Sequence, residues 1–139
     1  MRRLIAALGL VTVAALLFVG TIYLASELGP EIVTLRTTDA HGGTVETRLW
    51  VVEHDGASWL RAGVDGSGWL ARLEAHPEVE VERGGRWTGM RAIPVRGDPA
   101  TRDRIHALMA EKYGLSDRLI SSIRDGDGSI PVRLEPAGE

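Results

Sequence analysis

The sequence contains no cysteine. Disulfides, thiolate metal sites and cysteine nucleophiles are therefore excluded. Phenylalanine occurs once and tyrosine twice, so four tryptophans supply most of the aromatic surface. Lysine occurs only at position 112; every other basic residue is arginine. No phosphate loop with its lysine is present, and no serine sits in a nucleophile elbow. Positive charge is also short. Beyond Arg2 and Arg3, 14 basic residues face 19 acidic ones, a net charge of −5. That balance argues against nucleic acid and anionic lipid surfaces as partners.

What the chain does have is a long uncharged run, Leu4 to Ala25. As a helix it is about 30 Å long, the thickness of a bilayer's hydrocarbon core. A cleavable signal peptide has a shorter apolar region, about 7–15 residues, ending in a small-x-small site. Here Tyr23 precedes Leu24 and Ala25, and no such site closes the run. Residues 1–25 are read as a transmembrane signal anchor, 26–30 as a linker broken by Pro30, 31–135 as one domain and 136–139 as a tail. Arg2 and Arg3 precede the run, and Glu27 and Glu31 follow it. The positive-inside rule then puts the N-terminus in the cytoplasm of an inner or plasma membrane and the domain outside.

Beyond the anchor the hydrophobic period is mostly two. Glu31–Thr38 and Thr44–His54 alternate as strands, and Asp55-Gly56 is a hairpin signal leading into Ser58–Gly63. Ser67 is placed to cap a short helix, Gly68–Ala75, which His76-Pro77 stops. Glu78–Arg83 alternates glutamate with valine, and Gly84-Gly85 turns it into Arg86–Val95. Asp98-Pro99 opens a helix, with Ile105, Leu108, Met109 and Tyr113 on one face, closed by Gly114. A second short helix is expected at Ser116–Arg124, a turn at Asp125–Gly128 and a last strand at Ser129–Leu134. The class is α+β: an N-terminal transmembrane helix plus a small antiparallel split β-barrel with inserted helices.

Chemistry-bearing residues are few. His41, His54, His76 and His106 stand at no metal-ligand spacing. Glu78, Glu80 and Glu82 read as a solvated strand face. Gly63-Val64-Asp65-Gly66-Ser67-Gly68 follows a strand and opens a helix. It is either a tight turn or a loop whose backbone N–H groups face an anion. Trp69 is either core or the cover of a planar ring. Arg48, Arg61 and Arg72 either pair with phosphate or neutralise nearby acids.

Three features together carry a resemblance. One is the Gly43 turn followed by the strand, Asp55-Gly56 hairpin and strand. The next is Gly66-Ser67-Gly68-Trp69-Leu70-Ala71-Arg72-Leu73-Glu74-Ala75-His76-Pro77-Glu78-Val79. The last is the strand pair and helix that end at Arg102–Tyr113. From about Ile32 to Val95 the chain resembles the deazaflavin-dependent nitroreductase family, within the pyridoxamine-phosphate-oxidase-like split barrels. It departs from the family pattern at Asp65, where a lysine is usual, and at Arg72 and His76, where asparagines are usual.

The resemblance implies an oxidoreductase of nitroreductase or quinone-reductase type, using F420, or alternatively FMN, on a lipophilic acceptor such as a quinone. It further implies a cofactor site formed by His41, Trp50, Arg61, Val64, Gly66, Trp69 and Arg72. Val64 and Gly66 supply backbone N–H groups in that picture, Trp69 covers the ring, and the basic residues hold phosphate. A homodimer is compatible with the fold type. The competing expectation is a non-enzymatic, degenerate split barrel that binds a protein or small ligand at the membrane.

Overall fold

The computed structural model describes residues 1–27, 31–114 and 128–138, and the chain divides into two units, Met1–Glu31 and Ile32–Glu139. The first unit is a helix, α1 (Arg2–Glu27). Its stretch Leu4–Thr21 is long and apolar enough to cross a bilayer by length and composition.

Among the described residues, the second unit is a seven-stranded antiparallel sheet with two helices. Its strands are β1 (Ile32–Thr38), β2 (Thr44–Trp50), β3 (Val52–His54), β4 (Ala57–Ala62), β5 (Glu78–Arg83), β6 (Arg86–Pro94) and β7 (Ile130–Pro136). The helices are α2 (Gly68–Ala75), between β4 and β5, and α3 (Pro99–Tyr113), between β6 and β7. The expected helix at Ser116–Arg124 and most of the Asp125–Gly128 turn lie outside the described residues. The last strand continues two residues beyond Leu134, because Glu135 and Pro136 pair with Arg91 and Met90 of β6.

The strand order is β2-β1-β5-β6-β7-β4-β3. β2 and β3 are thus the two outer strands, yet only Val51 separates them in sequence. Consecutive Cα atoms are about 3.8 Å apart. A flat sheet holds its first and seventh strands nearly 30 Å apart, at about 4.8 Å per strand. Both conditions hold only if the sheet curls until its edges meet. The Thr44–His54 run expected as one strand is therefore two. Its first part pairs with β1 from Thr38↔Thr44 to Ile32↔Trp50, and its second pairs with β4 from Val52↔Trp59 to His54↔Ala57.

Curling gives the sheet an inside and an outside. Val33, Leu35, Leu60, Ala62, Val79, Val81, Val132 and Leu134 point inward, and α2 adds Trp69, Leu70 and Leu73 to the same core. Fully burying a leucine contributes about 1.5–3 kcal/mol, so a helix of eight residues is held by its contacts, not by its own propensity. Outside, α3 sets Ile105, Met109 and Tyr113 against Val52, Ala57 and Trp59. β4 is consequently covered on both faces, which explains its apolar Trp59-Leu60 pair.

Turn chemistry agrees with the sequence. Asp55 and Gly56 both have positive φ (51° and 71°), the conformation that a two-residue hairpin requires. Asp98 caps α3: its carboxylate accepts from the Thr101 backbone N–H at 3.1 Å and the Thr101 hydroxyl at 2.7 Å. Those bonds, the hydroxyl first, hold the Asp98 carboxyl below its ordinary pKa. On the outer face, Arg36 reaches Glu46 at 2.9 Å and Glu80 at 2.5 Å, and its guanidinium lies 3.8 Å over the Trp87 ring. Of the expected solvated glutamates, Glu80 is thus paired, and Glu82 accepts from the Gly85 backbone N–H at 2.6 Å.

Candidate functional site

The loop between β4 and α2 is folded by its own serine. Ser67 sits in extended conformation before α2, but its hydroxyl donates to the Val64 carbonyl at 2.8 Å and makes no capping bond to the helix. The Ser67 backbone N–H donates to the same carbonyl at 3.2 Å. The first turn of an α-helix leaves its N–H groups without intrahelical partners, and the Ser67 side chain does not cap them. The positive end of α2 is therefore open.

A cation lies beside it. Arg72 donates from Nε to the Thr37 hydroxyl at 2.8 Å. A Cβ placed on Gly68 would meet Arg72 Nη1 at 3.1 Å, so the guanidinium rests against the first residue of α2. Glycine keeps that approach free. No carboxylate lies within ion-pair distance of Arg72 among the described residues. Thr37 is itself almost fully enclosed (1% exposed) and donates to the Val45 carbonyl at 3.3 Å, which fixes the acceptor that orients Arg72. A helix N-terminus with an adjacent half-buried guanidinium is chemically suited to one anionic group.

Two nearby acids share one cation. Asp65, which stands where the family usually has lysine, pairs with Arg96 at 2.5 Å, and Arg96 also binds Glu74. The two carboxylates, Glu74 most, hold Arg96 above its ordinary pKa. This bridge ties the glycine loop to the end of α2 and to the segment before α3.

The other expected site residues distribute unevenly. His41 lies exposed in the β1–β2 turn, where Asp39 accepts from the backbone N–H groups of His41 at 2.8 Å and Gly43 at 2.9 Å. That turn directly follows β1, whose Thr37 holds Arg72, so His41 belongs to the α2 end of the barrel. Val64 contributes its carbonyl to the serine turn, with its side chain half exposed, and nothing lies within 4 Å of a Cβ built on Gly66.

The remaining three expected residues lie as follows. Trp69 is 8% exposed and packs in the barrel core. Arg61 alternates with the inward Leu60 and Ala62, so it points outward under α3, where its Nη1 is 3.0 Å from His106 Nδ1. Trp50 stacks on Tyr113 with ring centroids 4.4 Å apart, at the end of β2 away from His41. At about 3.3 Å per residue that separation is roughly 20 Å or more. The turn of His41 and the loop of Val64 and Gly66 thus lie at the barrel end where Arg72 meets Thr37, whereas Trp50 and Arg61 face α3. Thr37 and Arg96 complete this end without standing out in the sequence: a threonine at an inward position of an alternating strand is the one signal for Thr37, and no local pattern marks Arg96.

Among the described residues no cluster of His, Asp and Glu is placed to hold a metal. The arrangement at the α2 end can bind and orient an anion-bearing group.

The sequence profile of the F420H(2)-dependent quinone reductase family matches residues 18–134. None of the curated proteins matches the chain. Among solved structures, an F420-H2 dependent reductase superposes with a TM-score of 0.57 at 23% identity, over 76% of this chain and 94% of that one. A pyridoxamine 5'-phosphate oxidase-type chain of Listeria innocua gives 0.60 at 11% identity, over 86% and 93%. A chain solved as a domain-swapped dimer gives 0.56 at 24% identity, over 77% and 80%. At such identities the likeness establishes the fold, a split-barrel-like curled sheet with helices.

Proposed function

Because the chain belongs to the F420H(2)-dependent quinone reductase family, we propose that it is a membrane-anchored oxidoreductase that uses F420 to reduce a lipophilic acceptor such as a quinone. Membership itself points to an oxidoreductase. The observation that carries the cofactor reading is the Arg72 guanidinium, held by Thr37 and without a carboxylate partner among the described residues, against the N-terminus of α2 that Ser67 leaves uncapped. F420 supplies a hydride when bound in its reduced form. The chain's part is to hold it. Arg72 and the first N–H groups of α2 bind an anionic phosphate, Gly66 leaves the loop open to approach, and His41 stands in the adjoining turn. FMN also carries a phosphate and is the alternative occupant.

The acceptor class rests on α1. A helix crossing the bilayer through Leu4–Thr21 keeps the domain beside the phase in which quinones dissolve. Arg2 and Arg3 favour a cytoplasmic N-terminus and an outside domain. The domain-swapped dimer among the structural neighbours supports a homodimer.

A second reading is a degenerate barrel that binds a protein or small ligand and performs no redox step. The enclosed Trp69 and the outward Arg61 favour it, since neither is left to grip a cofactor.

Titrating the full-length chain in detergent with F420 and with FMN, followed by fluorescence, separates the two. The first reading expects saturable binding of F420 or FMN, weakened about tenfold or more by Arg72→Ala, because a charge-assisted hydrogen bond is worth about 1.5–3 kcal/mol. Absence of binding by both cofactors leaves only the second reading.

A further inference from the structure

We propose that the C-terminal end of α3 is a clasp that shuts the barrel at its seam, and that the domain opens there first. Val51 is the residue at which the chain leaves one sheet edge for the other. It has no partner in the β1–β2 or β3–β4 ladders, whose registers end at Trp50 and begin at Val52. Its side chain is buried, so its backbone groups cannot turn to water without cost.

α3 satisfies both groups. The Val51 N–H donates to the Tyr113 hydroxyl at 3.0 Å, and that hydroxyl donates to the Val51 carbonyl at 3.0 Å. The Lys112 ammonium donates to the same carbonyl at 2.7 Å. A hydroxyl both accepts and donates at one atom, and phenylalanine in place of this tyrosine would lose both bonds. The Tyr113 ring meanwhile stacks on Trp50, nearly parallel at 7°, which grips the strand just before the crossing. Gly114 ends α3 directly after the clasp with φ 53°, a conformation suited to glycine.

Among the described residues, the backbone polar groups of the crossing residue are thus held by one helical turn and not by a strand ladder, while its side chain packs in the barrel core. Ladder-paired strands such as β5 and β6 open only with the whole sheet, whereas the seam opens when Tyr113 lets go. Val51 also lines a pocket of about 200 Å³ that opens to solvent past Ser58, Arg83 and Thr88, so the seam forms part of that pocket's wall.

Hydrogen exchange on the full-length protein in detergent tests this, by comparing the segment Leu49–His54 with β5 and β6. Tyr113→Phe keeps the ring stack and removes both hydroxyl bonds. Lys112→Met removes one bond and leaves the hydroxyl. The expected result is about tenfold faster exchange at the seam in Tyr113→Phe and a smaller increase in Lys112→Met, with β5 and β6 changed less than threefold. Equal acceleration throughout the domain, or unchanged exchange at the seam in both variants, overturns the proposal.

Discussion

The two helices of the domain serve one sheet in opposite ways. α2 lies inside the curl and gives Trp69, Leu70 and Leu73 to its core. α3 lies outside and covers β3 and β4 with Ile105, Met109 and Tyr113. The inner helix is short and uncapped, and its open N-terminus meets Arg72. The outer helix is longer, capped by Asp98, and spends its last turn on the seam. A helix committed to the core can leave one end free for a ligand. A helix on the surface holds its place through caps and clasps.

The sharpest test of that contrast is large-to-small replacement on each helix. Leu73→Ala and Met109→Ala each remove a fully enclosed side chain and are expected to lower the unfolding free energy by about 2–5 kcal/mol in denaturant titrations. They should differ in reach. Leu73→Ala loosens all strands in hydrogen exchange, and Met109→Ala chiefly β3, β4 and the seam. The same exchange pattern from both would erase the distinction between inner and outer helix.

Thr37→Val is a gentler probe. It keeps the volume but removes the acceptor of Arg72 Nε, at an expected cost of about 0.5–1.5 kcal/mol. Its larger consequence should be weaker binding of a phosphate-bearing cofactor without loss of fold, read by the same fluorescence titration. Undiminished binding would mean that Arg72 needs no orientation by β1.

The smallest effect belongs to Asp98. Its folded pKa lies below the ordinary carboxylate value, so its capping contribution is present above about pH 3.9 and disappears as the pH falls through the folded value. An NMR titration of the Asp98 carboxyl should show that lowered midpoint, and Asp98→Ala should abolish the matching pH dependence at the start of α3. An unshifted midpoint would remove the cap from the account.

Much of the fold was legible because local signals and tertiary contacts agree. Ser67 and His76-Pro77 delimit α2, the glutamate–valine alternation delimits β5, and Asp98-Pro99 opens α3. The crossing at Val51 was not legible. A period of two continues through Thr44–His54 whichever strand lies alongside, so alternation cannot show a change of partner. The site was legible in part. The loop, the His41 turn and Arg72 lie toward one barrel end, whereas Arg61 faces α3. Its alternation with Leu60 and Ala62 already set it on the other face. Trp69 likewise shares a helical face with Leu70 and Leu73, which is the pattern of a core residue. Arg96 pairs with Asp65 across 31 residues of sequence, and no local pattern carries such a contact.

The central functional claim is tested most directly by turnover in a membrane. The full-length protein is reconstituted in lipid vesicles with a quinone, supplied with reduced F420, and followed by the return of oxidised-F420 absorbance. The account predicts oxidation that requires both protein and quinone and falls at least tenfold with Arg72→Ala. Reduced F420 left unconsumed by a folded, membrane-inserted protein would contradict it.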